Sequence, residues 1–347
     1  MDKDLKNKTV AELEEIAAAY GQKKFVARNI FSFIHQHNKS DIDHFTTLSK
    51  QFRTQLKQDG LYISELKTVE VFADPEGTKK YLFELGDGTR IETVELLDDD
   101  RRTLCISTQV GCRMNCQFCA TARLRFTRNL TAGEIVDQVI QVEKAGGRIN
   151  NVVYMGMGEP FDNYDETIKS VRMLNSTAGK NIGIRHITIS TAGVIPGIEQ
   201  LAEEGMQVRL AVSLHAVRDH VREKIMRITK KYPLASLLEA VKEYQQKTNR
   251  RVTFEYVMIK DLNDSVIDAR ALSKLITGIK ANINLIEYNP HDGCDFAPSH
   301  PKTIKAFQQI LADAGWEVVT RFKRGQNIKA ACGQLGATWL KPNIGDS

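Results

Sequence analysis

Two hydrophobic rhythms divide this chain. Near its start, apolar positions recur at helical spacing. TVAELEEIAAAYG opens on Thr9, carries Glu12 three residues later and closes at Gly21. This pattern predicts a helix with a capping box and a C-terminal glycine. The next segment, KKFVARNIFSFIHQ, sets Phe25, Ile30, Phe31 and Ile34 near one face, and SKQFRTQLKQ predicts a third helix. The rhythm then changes to alternation. KKYLFELGDGTRIETVELL holds two alternating runs around Gly86-Asp87-Gly88, which predicts a β-hairpin, followed by the charged turn DDDRR.

From Leu104 onward, strand-like and helix-like segments take turns. The strand-like segments are LCIST, NVVYMG, HITIST, VRLAVSL, VTFEYVMI, INLIEYN and EVVTRF. The helical ones include TAGEIVDQVIQVEKA, NYDETIKSVRML, LASLLEAVKEYQQK, DARALSKLITGI and PKTIKAFQQILADAG. Such alternation predicts an α/β fold with parallel strands joined by crossover helices. Six or seven units predict a complete or partial β/α barrel, with a doubly wound sheet as the alternative. Either arrangement binds ligands at the carboxyl ends of its strands. The expected division is an accessory helical domain over 1–75, a hairpin extension over 76–103, a barrel core over 104–325 and a C-terminal segment over 326–347.

Composition narrows the class. With 42% hydrophobic and 26% charged residues, the chain has apolar content for a core. No apolar run approaches the roughly 18 residues of a membrane span. The N-terminal MDKDLKNKT lacks a secretory pattern, so a cytoplasmic location is expected. The six cysteines therefore point to metal or redox chemistry rather than to a disulfide scaffold.

Three of them, Cys112, Cys116 and Cys119, form C-x3-C-x2-C directly after the first barrel strand. Three thiolates in one loop suit zinc or iron. A structural zinc site takes four protein ligands, and the chain has no second CxxC and no HxxxH. An iron–sulfur cluster held by three cysteines leaves one iron open to a small molecule. This motif in this position resembles the radical S-adenosylmethionine (SAM) superfamily. The resemblance implies a partial (β/α)6 barrel, a [4Fe–4S] cluster on Cys112, Cys116 and Cys119, and SAM chelated at the open iron. The strand ending NVVYMGMGEP supports it. Glycines allow close backbone approach, and the Glu159 carboxylate suits an ammonium group.

The wider set ETVELLDDDRRTLCISTQVGCRMNCQFCAT, MGMGEP, ISTAG, SLHA, YNP and AACGQL resembles the RlmN/Cfr family of RNA methyltransferases over nearly the whole chain, most of all its RlmN branch. The resemblance implies that Gly158, Glu159, Ser190, Ser213, Leu214, His215 and Asn289 bind SAM. Cys332 would carry the methyl group, Cys105 would resolve it as a transient disulfide, and Glu92 would handle a proton. Two cysteines make chemical sense. The target adenine carbon is not nucleophilic, so direct transfer from SAM fails, whereas a thiolate accepts the methyl group readily. Two SAM molecules would be consumed per turnover. Cys294 matches no family position.

The implied substrate is an adenosine of large-subunit ribosomal RNA, methylated at carbon 2. In dual-specificity members it is also an adenosine beside the transfer-RNA anticodon. A flavodoxin-type electron donor and a monomer are the further expectations. The net charge, +5, says little by itself. Three basic groups could grip phosphates: Arg113, Arg123, Arg125 and Arg128; Lys224, Arg227, Lys230 and Lys231; Arg321, Lys323, Arg324 and Lys329. The target base would be extruded to reach the radical. Alternatives are a Cfr-like carbon-8 methyltransferase, a non-catalytic metal-bearing RNA-binding protein and a radical-SAM activator of another enzyme.

Overall fold

The computed structural model describes residues 2–98, 101–291, 293–321 and 325–337. The chain begins with three helices, α1 (Val10–Ala19), α2 (Phe25–His35) and α3 (Lys50–Gln58). The capping box of α1 forms as expected: Glu12 N–H donates to Thr9 Oγ1, and the Glu12 carboxylate accepts the Thr9 N–H. In α2 the buried stripe is Val26, Ile30, Phe31 and Ile34, while Phe25 is 57% exposed. At 100° per residue Phe25 stands well off the line through Ile30, and Val26 takes its place.

Three antiparallel strands follow, β1 (Lys67–Ala73), β2 (Lys79–Glu84) and β3 (Arg90–Asp98). The expected hairpin is β2–β3. Strand β1 was not foreseen; its Val69 and Val71 alternate with polar residues, but they lie exposed on an edge strand. Antiparallel pairing of β3 with β4 (Arg101–Cys105) carries the sheet into the barrel. The two-residue strands β5 (Gln109–Val110) and β6 (Arg128–Asn129) pair across the cysteine loop. The remaining elements are α4 (Ala132–Gly146), β7 (Asn151–Tyr154), α5 (Tyr164–Asn175), β8 (Ile187–Thr191), α6 (Ile195–Glu203), β9 (Arg209–Ser213) and α7 (Asp219–Ile225). They continue through α8 (Leu234–Thr248), β10 (Val252–Met258), α9 (Val266–Leu275), β11 (Ala281–Glu287), α10 (Pro301–Asp313) and β12 (Glu317–Arg321).

The main sheet runs β1-β2-β3-β4-β7-β8-β9-β10-β11-β12. From β4 to β12 every pairing is parallel. The result is six strand–helix units and a closing strand, the partial α/β barrel expected, rather than a doubly wound sheet. The outward face of its strands, including Val152, Ile187, Ile189, Leu210, Val212, Phe254, Ile283 and Leu285, is at most 1% exposed and belongs to the main core.

One carboxylate ties the N-terminal segment to this core. Asp137 of α4 lies 2.5 Å from Lys6 Nζ, both side chains 1% exposed, and its other oxygen accepts the Leu66 N–H at 2.6 Å. An ion pair this buried requires both partners, since removing either strands a charge.

Candidate functional site

At the carboxyl ends of the parallel strands lies a chamber of about 160 Å³, walled in part by Cys112, Cys116 and Cys119. The cysteine loop leaves β5 at Gly111, whose φ is +77°. A Cβ there would sit 2.5 Å from the Arg125 carbonyl oxygen, so only glycine closes the loop. Gln117 N–H donates to Ile225 O at 2.8 Å, which seats the loop on the end of α7. Burial pushes all three thiol pKa values up, and repulsion from neighbouring thiolates adds to this, from within the loop for Cys112 and Cys116 and from Cys332 for Cys119. Uncompensated thiolates are thus disfavoured, as a cation-binding set should be before its metal is present.

Among the described residues no three such side chains converge closely enough for one metal ion. Three cysteines on one loop are one ligand short of a structural zinc site and match a cluster that takes one thiolate on each of three irons. The donor set therefore fits a [4Fe–4S] cluster with one open iron.

The wall opposite is built by the β7 and β8 ends. Gly158 has φ +101°, and a Cβ there would meet Gln109 atoms at 2.6–2.8 Å. Glu159 is buried; its carboxylate accepts N–H groups from Phe161 at 3.1 Å and Ala192 at 2.7 Å. Burial raises its pKa to about 7. A ligand ammonium here would draw the proton off and pair with the carboxylate. Ser190 and Ser213 line the chamber and cap no helix; α6 and α7 follow Val194 and Arg218 instead. His215 also lines it, held at φ +59° with Nδ1 accepting the Val257 N–H at 3.0 Å. Burial and the nearby Arg222 cation lower its pKa to about 3, so the ring is neutral with its proton on Nε2. Leu214 is different: it is 0% exposed, lies in the core and contributes no wall.

Arg222 was missed by the sequence reading. Its guanidinium is 0% exposed and donates to the carbonyls of Ala192, Ser213 and Leu214 and to Thr229 Oγ1. It thereby ties the ends of β8 and β9 beneath the cysteine loop. Nothing local distinguishes it from the solvated cations around it in the sequence.

A second cavity, about 520 Å³, opens from the first and shares Cys119, Gly156, Asn289 and Cys332 with it. Cys105, the last residue of β4, lines only this cavity. Cys332 is exposed, and none of the six cysteines is in a disulfide. The segment bearing Cys332 is tied to the cysteine loop by Ala120 N–H to Gly333 O at 2.7 Å and Thr121 Oγ1 to Leu335 O at 2.8 Å. Asn289 Nδ2 donates to Cys332 O at 3.2 Å. Residues far apart in sequence thus meet at one joined cavity.

Glu92 stands behind this wall. It is 0% exposed, pairs with Lys80 at 3.0 Å and accepts the Gly336 N–H at 2.7 Å, and it lines neither cavity. It does share a face of β3 with Val94 and Leu96, which line the larger one. Cys294 donates to Gln117 O at 3.3 Å outside both cavities. Of the basic groups, Arg113 is paired with Asp162 and stacked on Phe126, Arg128 is paired with Asp87 and Glu134, and Lys230 is paired with Glu223. Lys323, Arg324 and the Arg321 side chain lie outside the described residues.

Residues 106–272 match the Radical SAM superfamily, and residues 3–60 match the ribosomal RNA large subunit methyltransferase N-terminal domain. The chain is 44% identical over 332 residues to a dual-specificity RNA methyltransferase RlmN of Geotalea uraniireducens, covering 96% of each. It is 45% identical to a probable dual-specificity RNA methyltransferase RlmN of Geobacillus kaustophilus, covering 95% of this chain and 91% of that one. A radical SAM methyltransferase from Sphaerobacter thermophilus superposes with a TM-score of 0.91 at 43% identity, over 97% of this chain and 100% of the other.

Proposed function

The chain belongs to the RlmN family of radical SAM RNA methyltransferases, and on that premise we propose that it methylates carbon 2 of an adenosine in large-subunit ribosomal RNA and of the anticodon-adjacent adenosine in transfer RNA. The observation that carries this reading is the cavity shared by Cys105 and Cys332, opening onto the chamber of the three-cysteine loop.

The [4Fe–4S] cluster and SAM, when bound, supply the methyl group and the hydrogen-abstracting radical. Cys112, Cys116 and Cys119 hold the cluster. Glu159 receives the SAM amino group, with Gly158 letting the backbone approach. Ser190, Ser213, His215 and Asn289 offer polar contacts along the chamber wall. Leu214 acts indirectly, its packed side chain fixing the backbone between Ser213 and His215.

Cys332, exposed at the junction of both cavities, is placed to accept a methyl group from one side and meet a base from the other. We assign to Glu92, on the β3 face that also carries Val94 and Leu96 of the cavity wall, removal of the proton from the adenine carbon; Lys80 and the Gly336 N–H hold its carboxylate beside the Cys332 segment. Cys105 then attacks the Cys332 sulfur; the disulfide forms as the bond from that sulfur to the base-bound methylene carbon breaks, that carbon takes up a proton to become the methyl group, and the disulfide takes two electrons to reopen. Two SAM molecules per turnover, a flavodoxin-type reductant and a monomeric enzyme complete the proposal.

The test is an anaerobic reaction of iron-loaded protein with SAM, a reductant and unmodified ribosomal RNA, followed by mass spectrometry of the digested nucleosides. The expected product is 2-methyladenosine, absent with Cys332→Ala. 8-Methyladenosine would transfer the chain to the carbon-8 reading, and no methyladenosine from cluster-loaded protein would refute the function.

A further inference from the structure

A filled barrel carries only apolar side chains inside, whereas this one is hollow and sets polar positions among apolar ones such as Val153, Met155 and Ile286. The inward positions Asn151, Thr188, Ser190, Ser213 and Glu255 line the cavities. The residues between them on the same strands form the apolar core. A mostly apolar interior with a few polar positions suits a flat base with polar edges, and about 520 Å³ lies within the range of pockets that enclose a small organic ligand.

The far end of that larger cavity is formed by the amino-terminal starts of the strands. There it is lined by Arg101, Asn151, His186 and Arg209. Sheet register puts these starts side by side, since Thr103 pairs with Asn151 and Thr188 with Arg209. The sequence places a cation at each start in turn: Arg148 before β7, Arg185 before β8, Arg209 in β9, Arg251 before β10 and Lys280 before β11.

A bland explanation is that these cations serve local structure. It holds for some of them. Arg101 pairs with Asp98, Arg102 with Glu95 and Arg251 with Glu317, and Lys280 donates to Asn249. Arg148, Arg185 and Arg209 are exposed and have no ion-pair partner among the described residues. On the cluster side Arg113, Arg128 and Lys230 are matched by acids while, among the described residues, Arg125, Lys224 and Arg227 are not, so charge alone does not choose between the faces; the cavity does, at about 520 Å³ toward the amino end against about 160 Å³ beside the cluster loop.

Resting on the RNA-methyltransferase reading above, we infer that the target nucleotide reaches Cys332 through the amino-terminal end of the barrel. Its base lies along the inner face, and phosphates beside it are held by Arg148, Arg185 and Arg209. An extruded base needs such a well, and its flanking phosphates stay at the rim.

Two charge-reversed pairs distinguish the directions: Arg185→Glu/Arg209→Glu at the amino end, and Arg125→Glu/Lys224→Glu near the cluster loop. Each is made in cluster-loaded protein, with iron content and SAM binding as fold controls. The probe is an unmodified transcript of the peptidyl-transferase region, with Kd measured across a salt series. The expected result for the amino-end pair is a Kd raised about tenfold or more. Its salt slope should also shrink by roughly 1.5, near the 0.7–0.9 expected per phosphate contact. The cluster-side pair should stay close to parent. Arg185→Gln/Arg209→Gln gives the same direction if the reversal fails to fold.

Unchanged affinity in the amino-end pair, or equal losses from both pairs, would overturn the inference while the parent still methylates RNA. A parent that neither binds nor methylates the transcript would instead overturn the functional reading and this one with it.

Discussion

Lys80→Met isolates the pair that anchors the proposed proton-handling group. In the folded protein the Lys80 ammonium lies 3.0 Å from Glu92, and both side chains are 1% exposed. Removing it leaves a buried carboxylate without its counter-charge, which typically costs about 3–5 kcal/mol. The reciprocal Glu92→Gln strands the ammonium. It keeps only a 3.4 Å approach to Lys329 O and the face of Phe72 at 4.9 Å, contacts worth up to about 2 kcal/mol. The double variant Lys80→Met/Glu92→Gln buries no charge, and its glutamine still accepts the Gly336 N–H. It should fall within about 2 kcal/mol of the parent, giving a coupling of at least about 2 kcal/mol between the sites. The assay is a urea-unfolding series followed by circular dichroism, with amide exchange of β2 and β3 as the local readout. Singles costing under about 1 kcal/mol each and adding independently would refute the buried charged pair. Methylation should be lost in Glu92→Gln and remain lost in the stable double variant, which separates the chemical role from folding.

Three further outcomes are expected. His35 is fully buried with both ring nitrogens unbonded, and burial with the nearby Lys6 and Lys180 charges lowers its pKa to about 3. Below about pH 6.5 the unfolded chain takes a proton that the folded one refuses, so stability is lost as pH falls from there toward 3, by about 2 kcal/mol at pH 5. His35→Leu should remove that slope in melts at pH 5 and pH 7.5, and an unchanged slope would refute it. Gly158→Ala must place a methyl 2.6 Å from Gln109 at φ +101°, costing about 1–3 kcal/mol in backbone strain alone. It should lower the melting temperature and abolish SAM binding by calorimetry. Asp137→Ala strands Lys6 and frees the Leu66 N–H, and should expose the N-terminal helices to proteolysis before the barrel is cut.

Much of the molecule was legible along the chain. The capping box at Thr9 and Glu12 involves atoms three residues apart, so adjacent letters carry it. The alternation from Leu104 onward foretold the parallel strands, because period-2 and period-3.6 burial are local properties of the backbone. The edge strand β1 stayed hidden because it buries almost nothing. Phe25 was misplaced because its distance from the stripe depends on helical phase. Helices α6 and α7 went unnamed because they are short and one opens on Pro196-Gly197.

The sequence by itself determined the strand–helix alternation and the three-cysteine loop, since spacing within a few residues decides which groups can bind one cluster. Only the tertiary structure decided that Cys332 and Cys105 would line one cavity, that Lys80 would pair with Glu92, that Arg222 would tie two strand ends together and that the barrel would be hollow with an arginine rim. Those contacts join segments up to hundreds of residues apart. Their partners are selected by strand order and register, which no local spacing encodes.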